Sequence, residues 1–388
     1  MTTAQVGARP GPGYPRSVPP RRLLALDVFR GLTVAGMVLV NNPGSWRYVY
    51  APLQHADWHG WTPTDLVFPF FLFIVGTAIP FALGPRAERG EPRDRLALRA
   101  VRRAAVIFAL GLLLHALPYF ELSTLRIPGV LQRIAVCYLA AALAVLWTGW
   151  RAQAVIAAAL LLGYWAALTW VPVPGFGAGD LGREGSLPAW IDRTVLGSRH
   201  IWRAARVYDP EGILSTVPAI VTTLGGALAG HWLRAGGAPA RLVAGLAAAG
   251  GVLSALGLAW GLVLPINKPL WTSSYAVFTA GAALLALAAC YWVIEIRRCR
   301  WWAPPFAALG VNALAVFFLS TLLAKLLVIV RVPAGNGRSR PLQALLFEAA
   351  FLPWAAPAIA SLAWACANVL VWAALAWPLF RRGIHIRA

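Results

Sequence analysis

Apolar runs recur along the chain from Leu23 almost to its C-terminal end, each bounded by Arg, Pro or Gly. Most are long enough to cross a hydrocarbon core of about 30 Å as a helix. The pattern predicts spans at Leu23 to Asn42, Asp65 to Gly84, Ala104 to Pro118, Gly129 to Trp147, Ala154 to Val171, Gly212 to Leu233, Leu242 to Leu264, Trp271 to Glu295, Pro305 to Val330 and Pro357 to Phe380. Leu342 to Leu352 is apolar but short, and reads as an interfacial or re-entrant segment. The expected fold is an all-α polytopic membrane protein with about ten transmembrane helices in one bundle. Pro69, one turn inside the second span, is expected to permit a kink.

Composition agrees with the periodicity. The chain has 388 residues, 59% hydrophobic and only 12% charged, against roughly 25% charged in a soluble domain. Residues 1–22 are rich in Pro, Gly and Arg without an apolar run. They read as a disordered cytoplasmic leader and not as a cleavable signal peptide. The remainder, 23–388, reads as one transmembrane domain with a long periplasmic loop at about 172–211.

The distribution of positive charge sets an orientation. With the N-terminus inside, 20 of the 34 Lys and Arg fall in cytoplasmic segments and 11 in outward ones, with Arg30, Arg133 and Lys325 in spans. Both termini are therefore expected in the cytoplasm, in a multi-pass bacterial inner-membrane protein. The net charge of +20 needs no nucleic acid, because the densest run, Arg86 to Arg103, reads as a loop facing an anionic leaflet. Cys137, Cys290 and Cys366 fall in spans and Cys299 in a loop, so no disulfide framework is implied. Membrane lipids are expected partners, and a homodimer is possible.

Polar groups at membrane depth are costly and mark function. Asp27 and Arg30, at i and i+3, form a pair at the start of the first span. Asn41 and Asn42 close that span and either cap it or offer an amide donor. The segment HADWHGWTPTDLVFPFFLFIVG, His55 to Gly76, packs two His, two Trp and two Asp into one approach to a helix. Thr64-Asp65 can cap that helix. His55 and His59 have i, i+4 spacing, but without a third ligand no metal is expected. In IPGVLQRIAVCY, Gln132 and Arg133 lie one turn inside the fourth span, and an arginine there needs a carboxylate, phosphate or carbonyl partner. YDPEGILSTVPAI places Asp209 and Glu211 ahead of a helix expected to begin near Gly212, where they cap it, hold a cation or meet Arg133. LPINKPLWTSSY adds Asn267, Lys268, Thr272, Ser273 and Ser274, and Asn312 and Lys325 are further buried candidates.

These strings, with LALDVFRGLTVAGMVLVNN ahead of them and in this order, resemble the heparan-α-glucosaminide N-acetyltransferase family and its bacterial relatives. The resemblance runs from about Arg22 to the end of the ninth span, without a counterpart of the extracytoplasmic N-terminal domain of the animal lysosomal enzymes. It implies transfer of an acetyl group from cytoplasmic acetyl-CoA, a co-substrate, to the amine of an amino sugar or glycan on the far side. The family's catalytic histidine matches His55, its partner asparagine Asn41, and its donor-site arginine Arg133. Acyl transfer to an amine needs a base, and imidazole suits that near neutrality. It also needs a donor for the developing oxyanion. His55 is accordingly expected as base or transient acyl carrier, with Asn41 orienting it or polarising the carbonyl. Arg133 and Lys268, with Gln132 and Asn267, are assigned to the donor, and Asp209, Glu211, Asp65 and Trp58 to the acceptor. Two other readings stand beside this one: O-acylation of a glycan or lipid hydroxyl, and transport of amino sugars.

Overall fold

The computed structural model describes residues 23–333, 339–384 and 386. The leader lies outside the described residues. Thirteen α-helices dominate them: α1 (Leu24–Asn41), α2 (Val67–Glu88), α3 (Arg93–Ala116), α4 (Val130–Trp147), α5 (Trp150–Trp170), α6 (Leu187–Leu196), α7 (Thr216–Ala235), α8 (Pro239–Trp260), α9 (Ser273–Tyr291), α10 (Ala303–Val311), α11 (Ala313–Ile329), α12 (Leu342–Ala350) and α13 (Pro357–Arg381). Seven helices are long and apolar enough to span a membrane, and α10 with α11 forms an eighth candidate. The protein is a helical, multi-pass membrane protein. Of the ten expected spans, those at α3 and α7 fall outside this group because arginines crowd the first half of α3 and Thr, Gly and His dilute α7.

Three expectations change. The span drawn from Pro305 to Val330 is two helices meeting at 83°. Asn312 sits at the break, where its Oδ1 accepts from the Ile386 amide at 2.9 Å. The Asn312 side chain thereby ties the break to the C-terminal residues that follow α13. The basic stretch drawn as a loop up to Arg103 is mostly helical, since α3 begins at Arg93. The helix expected near Gly212 starts at Thr216, and the long loop carries a helix of its own, α6. The short segment near 342–352 is α12, preceded by an antiparallel pair, β1 (Arg331–Pro333) and β2 (Ser339–Pro341).

Glycines set the closest helix crossings. A Cβ at Gly76 would meet the Thr223 carbonyl oxygen at 1.8 Å, and one at Gly226 the Phe73 oxygen at 1.9 Å, so α2 and α7 touch backbone to backbone. Gly31 and Gly310 do the same for α1 and α10. Small residues at crossings are how helices associate where lipid supplies no hydrophobic drive. The core of this bundle is α1, α2, α4, α7 and α9, with α5 and α8 largely exposed at its flank. Asp27 and Arg30 pair at 3.1 Å as their spacing implies. Lys325 donates to the Leu114 carbonyl at 2.6 Å, tying α11 to α3.

Candidate active site

One end of the bundle gathers three connections: residues 42–66 between α1 and α2, the long loop 171–215, and residues 261–272 between α8 and α9. The first is drawn into short 3₁₀ turns, Trp46–Tyr48, Ala51–Leu53 and Pro63–Leu66. Asp65 organises it. One carboxylate oxygen, Oδ2, accepts from the amides of Ala56 and Thr62, each at 3.0 Å, and from the Thr62 hydroxyl at 3.2 Å. Asp65 caps as the sequence suggested, but its partner in the capping box is Thr62 and not Thr64, whose hydroxyl donates to the Pro52 carbonyl at 3.2 Å, and the arrangement leaves Oδ1 for other work.

Oδ1 lies 2.6 Å from Nδ1 of His55. It also lies 3.3 Å from Nζ of Lys268. Asp65 is sealed, with 1% of its side chain exposed, whereas the His55 side chain is 51% exposed. A carboxylate that close accepts a proton carried on Nδ1, and in the neutral ring that arrangement leaves the lone pair on Nε2. Lys268 Nζ stands 3.0 Å from Nδ1 and 3.5 Å from Nε2. Burial pulls the Lys268 pKa below its ordinary value, against the opposing pull of Asp65. The three groups form a base, its orienting carboxylate and a cation at one point.

Neighbouring loops hold this point in place. Asn267 Nδ2 donates to the Trp58 carbonyl at 2.9 Å, and the Gly60 amide donates to Ile266 at 2.7 Å. The Tyr275 hydroxyl donates to the Asp65 carbonyl at 2.6 Å. Trp58 donates its indole N–H to Leu181 at 2.9 Å and stacks edge-on against Tyr208 at 4.9 Å, joining the histidine loop to the long loop. Asn267 and Trp58 thus shape the site's scaffold. Trp271 adopts φ +49 with its indole fully buried. Its N–H donates to Thr222 at 3.1 Å. A bulky side chain in the left-handed region stores strain that the surrounding contacts must hold.

Other expected residues are distributed differently from the sequence reading. Asn41 is exposed at the end of α1 and its side chain makes no hydrogen bond among the described residues, while Asn42 donates to the Val38 carbonyl at 2.7 Å. The group that orients His55 is Asp65. Asp209 and Glu211 do not meet Arg133. Arg126 takes both, through Nε and Nη2 to Asp209 at 2.8 and 2.6 Å and through Nη2 to Glu211 at 2.5 Å. Burial opposes the Arg126 charge, and the two carboxylates outweigh it and hold its pKa above the ordinary range. Sequence reading passed over Arg126, although an arginine just ahead of IPGVLQR was a visible partner for that carboxylate pair.

Arg133 is 2% exposed, stacks over Trp271 at 5.1 Å and donates through Nη2 to the Gly212 carbonyl at 3.2 Å and to the Ser215 hydroxyl. Its Nε and Nη1 have no partner among the described residues. It lines a cavity of about 210 Å³ with Gln132, Glu211 and Thr216. Gln132 also reaches His115 at 3.4 Å. Nearby Asp192, on α6, accepts from the Ile213 amide at 2.8 Å, its second oxygen has no partner among the described residues, and burial pushes its carboxyl up to about 7. A second cavity, of about 220 Å³, lies in the opposite half of the bundle and is lined by Arg30, Arg103 and Tyr138 among apolar groups. Among the described residues no cluster of three or more His, Cys, Asp or Glu has the arrangement of a metal site.

Known proteins resemble this chain over a stretch that carries part of this geometry. A family profile described as the catalytic part of heparan-alpha-glucosaminide N-acetyltransferase matches residues 22–183, which include His55, Asp65, Arg126 and Arg133. The human protein named heparan-alpha-glucosaminide N-acetyltransferase is 30% identical over 356 residues, covering 77% of this chain and 52% of its own length. The mouse protein of that name is 30% identical over 355 residues, covering 76% and 53%. This chain is a relative of the heparan-alpha-glucosaminide N-acetyltransferase family. It spans about half the length of the curated relatives it matches.

Proposed function

We propose that this relative of the heparan-alpha-glucosaminide N-acetyltransferases is itself a transmembrane acetyltransferase, moving an acetyl group from cytoplasmic acetyl-CoA to the amine of an amino sugar at the opposite face. The single observation that carries this reading is the contact of His55 with a sealed Asp65 and with Lys268 at the loop end of the bundle. It is the constellation acyl transfer needs, a base whose tautomer is set by a carboxylate and a cation beside the reacting atom.

In this reading the acceptor amine attacks the thioester carbonyl carbon while Nε2 of His55 takes its proton, and the carbon–sulfur bond breaks to release the thiol. Lys268 Nζ, 3.5 Å from Nε2, stabilises the oxyanion that develops on the carbonyl oxygen. That role replaces the phosphate contact expected of it from sequence. The donor's phosphates fit better at Arg30 and Arg103, in the cavity of the opposite half. Helix α4 runs between the two regions, with Arg133 at one end and Tyr138 lining the other cavity. Arg133, with two nitrogens that have no partner among the described residues, offers hydrogen-bond donors to a substrate oxygen in the outer half. The same Nε2 serves if the acetyl group passes first to the histidine. Protein exposed to labelled acetyl-CoA without acceptor separates the two routes, because only the two-step route leaves label on wild type that His55→Ala lacks.

The orientation follows the charge bias, with the histidine loops outside. Proteoliposomes with acetyl-CoA on one face and glucosamine on the other test it. The expected result is N-acetylated sugar on the histidine face and free CoA on the other. Product formed only when both substrates share a face would overturn the transmembrane step, and sugar accumulating without acetyl-CoA would make the protein a transporter. A product ester cleaved by mild hydroxylamine would move the acceptor from amine to hydroxyl.

A further inference from the structure

A third cavity lies away from the loop cluster. It measures about 540 Å³ and sits among α2, α5, α7, α8 and α9, lined almost wholly by apolar side chains. Its shape follows from how α5 and α8 meet. Near the loop end Trp165 of α5 and Trp260 of α8 touch edge to face at 5.4 Å, and Tyr164 and Leu168 pack with Leu264 into a small core of their own. Toward the other end the cavity opens between Trp150 and Ala154 of α5 and Ala249 and Leu253 of α8, over a floor of Gly225, Ala229 and Ala280. The result is an apolar slot between α5 and α8 on the side away from their tryptophan contact.

Two polar features stand at the mouth. His231, on α7, lines the cavity with Nε2 buried and without a partner among the described residues. An unpaired nitrogen facing an apolar space is costly in a membrane. Arg151 lies beside Trp150, its guanidinium 5.3 Å from the indole centroid. Aromatic rings with a basic residue at a helix end are the arrangement that meets lipid headgroups.

We propose that this slot is a specific phospholipid site: one acyl chain fills it between α5 and α8, and the phosphate or glycerol ester lies at the mouth against His231 and Arg151. A cavity of this volume is in the range of small-molecule sites, and its apolar lining selects a hydrocarbon chain over a sugar or nucleotide. The charge at the mouth selects a negative headgroup. On the topology read from charge, the mouth opens in the cytoplasmic leaflet, where anionic lipids meet basic residues. The inference requires the chain to span a membrane but does not depend on acetyl transfer.

The test uses the full chain in nanodiscs containing either phosphatidylglycerol or phosphatidylcholine with a diazirine midway along one acyl chain. After irradiation, modified residues are mapped by mass spectrometry. The expected result is labelling concentrated at Ala154, Ala249 and Leu253 and stronger with phosphatidylglycerol. Gly225→Leu, whose Cβ would stand 3.9 Å from Ala280 without collision, should reduce that labelling to the level of exposed Leu375 on α13. Arg151→Gln should remove the preference for the anionic lipid. Wild-type labelling spread evenly over Leu253, Val252 and Leu375 would overturn the proposal whether or not the variants fold. So would links between two copies at this face, which would make the occupant a second chain.

Discussion

Nδ1 of His55 and Oδ1 of Asp65 meet at 2.6 Å, one residue half in solvent and the other sealed beneath it. Because the other oxygen of the same carboxylate is spent on two backbone amides, the group that orients the imidazole is also the group that shapes its loop. Removing the charge of Asp65 therefore affects catalysis without necessarily removing the loop. Asp65→Asn keeps an oxygen for the amides but presents a donor to Nδ1, which favours the wrong tautomer. Acetyl transfer by this variant should fall by roughly 10³- to 10⁴-fold, the scale of the same change in hydrolytic triads. A rate within threefold of wild type would remove Asp65 from the mechanism.

Arg126 holds two carboxylates, and Asp209 has none of its side chain exposed. Arg126→Met strands both charges, and breaking a buried pair in this way costs about 3–5 kcal/mol. The expected result is a lowered melting temperature in detergent, partly restored when Asp209→Asn is added. No recovery in the double variant would mean that the arginine acts through packing alone.

Asp192 gives the stability a pH dependence of known sign. Its folded carboxyl is raised from 3.8 to about 7 by burial, so the native state favours the proton. The resulting stabilisation is fully present below pH 3.8 and is lost as pH rises through about 7. Asp192→Asn keeps an acceptor for the Ile213 amide and carries no charge, so its melting temperature should exceed that of wild type at pH 8 and vary less between pH 4 and 7. A wild-type melting temperature that rises over this interval in step with the variant's would contradict the assignment.

At the α2–α7 crossing, a Leu in place of Gly226 would push a Cβ into the Phe73 carbonyl. Both contact partners are backbone, so the helices must separate. A cost of at least about 3 kcal/mol, the upper end of ordinary overpacking, is expected. Size-exclusion chromatography should show loss of monodisperse protein, whereas Gly163→Leu, with open space at its Cβ, should behave as wild type.

Much of this architecture is written in the hydropathy, because a helix that crosses lipid must declare its length in apolar residues. Arg133 stood out as a polar group placed where polarity is costly, and His55 as part of a loop dense in polar and aromatic residues. Asp65 was read as a helix cap beside Thr64 and as an acceptor contact, and its contact with His55 was not, because only the folded 3₁₀ turns bring its second oxygen to the imidazole. The Arg126 clamp joins residues more than 80 apart, a pairing that periodicity cannot reveal. The break at Asn312 was hidden because the apolar run continues through it on both sides. The start of α3 was misplaced because its arginines look like a loop, although several face outward from a regular helix.

The central claim is that Nε2 of His55 is the reacting nitrogen. Its direct test is the rate of acetyl transfer from acetyl-CoA to glucosamine by wild type and His55→Ala in the same proteoliposomes, with acetyl-CoA binding measured alongside. The expected result is a loss of at least about 10³-fold in rate with donor binding retained. A His55→Ala variant that transfers acetyl groups at the wild-type rate would contradict it.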